Sequence, residues 1–181
     1  MINPSDSIKF RNVISKRYRF YYKDMEEVME QFLNDIDRKK ATVKGPLFYS
    51  LNNVPMDKIM NVEFFMPIEE EKIEIDEDMF FQSYFSIENM VSISMYDNFE
   101  TNTEIAYRVL LDYIDDNKLK QVTPIFHVIS GDRTMQYVFI KIGVTQEEKE
   151  EQSEDKFFKG RKDSEYNEVK RSTNSNFTAF K

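Results

Sequence analysis

The chain of 181 residues has no cysteine, one histidine, four glycines and no tryptophan. Without cysteine there is no disulfide framework, no thiolate metal site and no thiol nucleophile. A single histidine excludes the usual multi-histidine zinc centres, and four glycines are too few for a phosphate-cradling loop, so nucleotide binding is not expected. No segment approaches the roughly 18 to 20 apolar residues that a membrane span requires. The opening "MINPSDSIKFRNVISKRYRF" has no long apolar core of the kind a secretory leader carries. The cytoplasm is therefore the expected location, with no membrane partner. Basic charge is also in deficit: the net charge is -8, which argues against a nucleic-acid or anionic-membrane surface. Neither a cofactor nor a metal is expected.

What is abundant is soft apolar filling. Ten Met, sixteen Phe and ten Tyr within a 40% hydrophobic composition can build one sizeable core. The chain also resembles itself. Shifted by 78 residues, positions 24–53 overlie 102–131 without a gap, and seven of the thirty pairs are identical: Glu26/Glu104, Leu33/Leu111, Ile36/Ile114, Asp37/Asp115, Lys40/Lys118, Pro46/Pro124 and Phe48/Phe126. Roughly two identities would arise by chance at ordinary residue frequencies. Met25, Val28, Met29, Phe32, Leu33 and Ile36 follow the spacing of a helix with one buried stripe, and Thr103, Ala106, Tyr107, Leu110, Leu111 and Ile114 occupy the matched positions. Asp24 and Asn102 stand where each helix needs an N-cap.

The flanks repeat as well. Strand-like runs "NVISKRYRFYY" and "NMVSISMY" precede the helices; "LFYSL" with "NVEFFMPI", and "IFHVI" with "MQYVFIKIGV", follow them. Ser130-Gly131-Asp132 is a turn signal for the second hairpin. The expected fold is α+β: two β-α-β-β units about a pseudo-twofold axis, forming an antiparallel sheet with two main helices on one face. The expected domain covers 1–144, with repeat one at about 8–68, an acidic connector "EEEKIEIDED" at 69–78 and repeat two at about 80–144. Residues 145–181 hold eight Lys or Arg against nine Asp or Glu and few apolar side chains, the composition of a disordered charged tail.

Within this frame "GPLFYSLNN" followed by "VEFFMPI", and further on "IAYRVLLDYIDDNKLK", resemble the GyrI-like effector-binding domain. That bacterial family is also found behind the DNA-binding parts of certain multidrug-responsive and AraC-type regulators. The first two segments look like the family's Gly-Pro strand and its Val-Glu-x-Gly-Phe-Pro-Val strand; the third looks like its second helix. The resemblance spans about residues 8–144 and implies a cleft between the halves that takes small, hydrophobic or cationic molecules. The family's Glu-x-Tyr pair aligns with His127 and Ile129, which removes a carboxylate that meets cations, and Phe65 replaces the strand glycine. With no helix-turn-helix ahead of the first strand, a stand-alone binding domain is expected.

The candidate ligand-binding residues are Tyr49, Glu63, Phe65, Tyr96, His127 and Tyr137. Tyr49 and His127 are equivalent under the 78-residue shift, so a dyad places them as a facing or flanking pair, either as ligand-orienting groups or as satisfied core residues. Alternation in "VEFFMPI" puts Glu63, Phe65 and Pro67 on one face and Val62, Phe64, Met66 and Ile68 on the other. Glu63 is then either a cleft carboxylate or a solvated strand residue. "KRYRFYYK" at 16–23 reads as an amphipathic strand with its charges wet.

The leading expectation for function is binding of a small hydrophobic or aromatic molecule in the inter-repeat cleft. The alternative is a protein-interaction module, of the inhibitor, accessory or immunity type, acting through its acidic surface or tail. The third is hydrolysis of small electrophiles by a Glu63–His127 acid/base pair, for which no nucleophile motif speaks and no catalytic residue is assigned.

Overall fold

The computed structural model describes residues 1–53, 58–96, 99–131 and 135–146. Its elements follow the order β1 (Ile2–Tyr21), α1 (Met25–Arg38), β2 (Phe48–Leu51), β3 (Ile59–Pro67), β4 (Met79–Met95), α2 (Phe99–Asp116), β5 (Leu119–Gly131) and β6 (Gln136–Gln146). That is β-α-β-β twice, antiparallel throughout. The six strands close on themselves in the order β1-β3-β2-β5-β6-β4. Ring closure is an addition to the expected sheet.

Two joints hold the halves together. β1 lies against β4, with Phe10 opposite Phe85, and β2 lies against β5, with Tyr49 opposite His127. Each joint pairs a strand with its own repeat equivalent, as a twofold axis demands. β1 and β4 run well beyond the strands expected from residue 12 and residue 89. Their extra length pairs mutually, from Ile2–Ile93 to Lys16–Met79. Polar segments such as "NPSDS" become strand because a partner strand is present, not through propensity. The register shifts between Asn3 and Asp6, around Pro4, which lacks a donor for the ladder. Asn12 and Asn89 each take φ 54°, a left-handed conformation that asparagine tolerates.

Both helices lie on the outer face, one over each repeat. Val28, Phe32 and Ile36 of α1 pack on Ile14, Val62, Phe64, Met66 and Ile68. Ala106, Leu110 and Ile114 of α2 pack on Val91, Met95, Ile140 and Ile142. A third cluster holds no helix residue and fills the interior of the ring: Ile8, Val13, Phe48, Phe65, Met90, Phe126 and Val128. α2 starts at Phe99, so Asn102 stands inside the helix and is not its N-cap. Asp24 holds the N-cap position of α1 without a side-chain capping bond.

The helix ends repeat closely. Lys40 and Lys118 both have positive φ, 56° and 54°, and their N–H groups donate to the carbonyls of Asp37 and Asp115 at 2.8 and 3.0 Å. The acidic connector is anchored. Asp76 pairs with Arg38 and Lys39, Glu70 accepts from the Thr42 N–H, and Ile73 and Ile75 pack against the α1 core. The charged segment expected to be a tail lies, from residue 147, outside the described residues, as does Asp132 of the hairpin turn.

Candidate functional site

The interior surface is aromatic. Phe48 is fully buried, stacked on Phe65 at 4.7 Å and on Phe10 at 5.4 Å, with Phe85 tilted against it at 5.3 Å and Phe126 at 6.5 Å. Such contacts add about 0.5–1.5 kcal/mol per pair beyond burial. Around this floor, Phe10, Phe85 and Phe139 are only partly buried. Tyr137 meets Phe139 edge-on at 5.4 Å and lies 6.0 Å from Tyr96, which is 61% exposed. Phe80, opposite Ser15, is 51% exposed.

A charged pair stands on each side of the aromatic floor. In the first repeat Glu63 accepts from Ser15 Oγ and Arg17 Nε, both at 2.8 Å, and lies across from buried Ser50. In the second, Lys141, the residue 78 positions after Glu63, donates to Asp6 Oδ1 and to the Ser7 carbonyl, both at 3.0 Å; Ser92 Oγ donates to Asp6 Oδ2 at 2.6 Å. Burial pushes the Asp6 carboxyl up, but the bonds from Ser92 and Lys141 outweigh it and hold it below the usual carboxylate range.

Tyr49 and His127 do face each other. Their rings stack at 4.5 Å and 6°, but on the outer face, one residue out of step with Phe48 and Phe126. Tyr107 from α2 closes the group, its hydroxyl 2.7 Å from His127 Nε2. His127 is 3% exposed, and its Nδ1 is buried with no hydrogen-bond partner among the described residues. Desolvation pushes its pKa down to about 3, so the ring is neutral at physiological pH. Burial raises the Tyr49 and Tyr107 phenols, Tyr49 also through Tyr107.

The six sequence candidates thus divide into two groups. Glu63, Phe65, Tyr96 and Tyr137 share the inner face; Tyr49 and His127 lie beneath the helices. The register gives the reason: Glu63 is opposite Ser50, whereas His127 is opposite the preceding residue, Tyr49. Glu63 and His127 therefore form no acid/base pair, and the hydrolysis reading loses its residues. On β5 the residues turned inward are Phe126 and Val128, not His127 and Ile129, and neither is acidic. Sequence reasoning missed Arg17, Phe80, Phe85, Asp6, Tyr107, Phe139 and Lys141. The alternation of "KRYRFYYK" and the 78-residue shift from Glu63 to Lys141 carried the signal for some of them. Among the described residues, no three His, Asp or Glu side chains converge as a metal site, and no helix is long and apolar enough to cross a membrane.

Solved structures share this architecture. The crystal structure of the EcmrR C-terminal domain matches with a TM-score of 0.61 and 12% identity, over 78% of this chain and 97% of that one. EcmrR in a cryo-EM EcmrR–DNA complex matches with a TM-score of 0.65 and 14% identity, over 80% of this chain; the match spans 58% of that longer one. At such identities the likeness concerns the fold alone. The chain belongs to a domain family of unknown function, DUF5085, whose profile matches residues 9–146. The GyrI-like resemblance read in the sequence agrees with these structures at the level of fold, and the family the sequence matches is DUF5085. No curated protein sequence matches the chain. The expected exclusion of nucleic acid gains no support, since one matched structure is a DNA complex.

Proposed function

We propose that this domain binds a small hydrophobic or aromatic molecule on the inner face of the ring. The observation that carries the reading is the aromatic surface left accessible there: exposed Phe80 and Tyr96 and partly buried Phe85 and Phe139 surround a rigid floor of Phe48, Phe65 and Phe126. Exposed aromatic surface of this kind, rimmed by charge, suits a ligand. Tyr49 and His127 serve the domain as a helix-to-sheet junction beneath α2. The test is titration with the neutral fluorophore N-phenyl-1-naphthylamine. Saturable binding by the wild type, weakened about tenfold or more by Phe139→Ala but unchanged by His127→Phe, supports the inner face. Absence of saturable binding, or equal sensitivity to both variants, overturns it.

One feature favours the second reading, a protein-interaction module. A groove of about 260 Å³ between β4 and α2 is lined by Ile105 and Val109, which are 54% and 38% exposed. A protein that co-purifies with the wild type and with Phe139→Ala, but not with Ile105→Asp, would move the assignment to this groove.

A further inference from the structure

The end of the ring at which β1 finishes and β3 begins is basic in an otherwise acidic chain. Arg17 and Arg19 follow Ser15 on one face of β1, opposite Glu63 and Asn61. A cavity of about 460 Å³ opens there, lined by Arg17, Tyr18, Arg19, Asn52, Asn61 and Val62. Lys23 and Lys58 are exposed at the same strand end, where the Tyr22 N–H donates to the Lys58 carbonyl. The two arginines are in different states. The Arg17 guanidinium is held by Glu63 and stands 5.9 Å over the exposed ring of Phe80. Arg19 has no ion-pair partner among the described residues. Among the described residues, the carboxylate paired with this cavity's arginines, Glu63, is committed to Ser15 and Arg17.

We infer that the ligand is an aromatic anion, its carboxylate or phosphate held by Arg19 and Arg17 with the amides of Asn52 and Asn61, and its ring on Phe80. This rests on the small-molecule reading of the inner face and gives that ligand a charge. The chemistry favours the assignment on three counts. A guanidinium offers a planar donor fork that matches carboxylate and phosphate oxygens. Amide side chains supply further donors without adding negative charge. The Glu63 carboxylate, already engaged by Arg17, is not free to attract a cation, and it fixes Arg17 in place beforehand, which lowers the ordering cost of binding.

Four naphthalenes with the same ring and different heads test this by calorimetric titration of the full chain: 1-naphthoate, 1-naphthyl phosphate, 1-naphthalenemethanol and 1-naphthylmethylammonium. The expected result is that one or both anions bind about tenfold or more tightly than the alcohol, and the cation more weakly than either. The ratio of carboxylate to phosphate affinity identifies the head group. Arg19→Gln, an exposed substitution whose melting temperature should match the wild type, removes the anion preference and leaves the alcohol's affinity unchanged; Arg19→Lys restores part of it. If the alcohol and the anions bind alike, or the preference survives Arg19→Gln, the charge assignment is wrong while the small-molecule reading stands. If none of the four binds, both fall together.

Discussion

His127 shows how burial changes the chemistry of one residue. In the unfolded chain its imidazole titrates near 6.5, while in the fold it is held at about 3 by desolvation. Below pH 6.5 the unfolded state gains a proton that the folded state does not, so this group's contribution to stability falls as pH drops from 6.5 toward 3. The slope approaches about 1.4 kcal/mol per pH unit. Urea unfolding at pH 6.5 and pH 5 should therefore show the wild type losing about 1.6 kcal/mol more than His127→Phe, which keeps the stack on Tyr49. Parallel losses would mean that His127 is not held neutral in the fold. Tyr107→Phe strips the partner from His127 Nε2 and should cost about 1–3 kcal/mol at pH 7 with little change in the far-ultraviolet spectrum. The pairing of Tyr49 with His127 was legible in the 78-residue shift. Tyr107 was not, because only the seating of α2 on the sheet brings its hydroxyl to the imidazole.

At the scale of elements, the two helix ends are the repeat's clearest structural trace. Lys40 and Lys118 are identical in the shifted alignment, and both sit just past their helices in the left-handed region, where a Cβ is unfavourable and glycine is the common choice. Lys40→Gly and Lys118→Gly should each raise stability by about 0.5–1 kcal/mol, and the double variant should show close to the sum, since the sites lie on separate helices. Chemical denaturation reads this directly; a loss at either position would mean the left-handed cap is absent. Gly131 has φ 101°, and a Cβ there would collide with the Met135 carbonyl oxygen. Gly131→Ala should therefore destabilise the β5–β6 hairpin. Helices and hairpins were readable because their signals are local: an apolar stripe, a turn glycine, a Gly-Pro start. The full length of β1 and β4 was not, since the added stretch of each is strand where the other pairs with it.

Across the whole molecule, the halves share one interior, and Phe48 stands at its centre. Phe48→Ala removes four ring contacts with Phe10, Phe65, Phe85 and Phe126 and should cost about 3–5 kcal/mol, according to how far the neighbouring rings collapse into the space. Calorimetry should record a lower melting temperature with unfolding still cooperative; two separate transitions would mean that the repeats are independent. The sequence by itself determined the duplicated β-α-β-β order, the helix stripes, the equivalence of Tyr49 with His127 and the common face of Glu63 and Phe65. Each of these follows from local periodicity or from self-similarity at a fixed shift. Only the tertiary structure decided that the strands close into a ring, and which face of each strand that ring encloses. Alternation separates two faces without saying which is inside. That choice is made when α1 and α2 cover one face and the phenylalanines of both repeats meet on the other, leaving Glu63 and His127 on opposite sides of the same sheet.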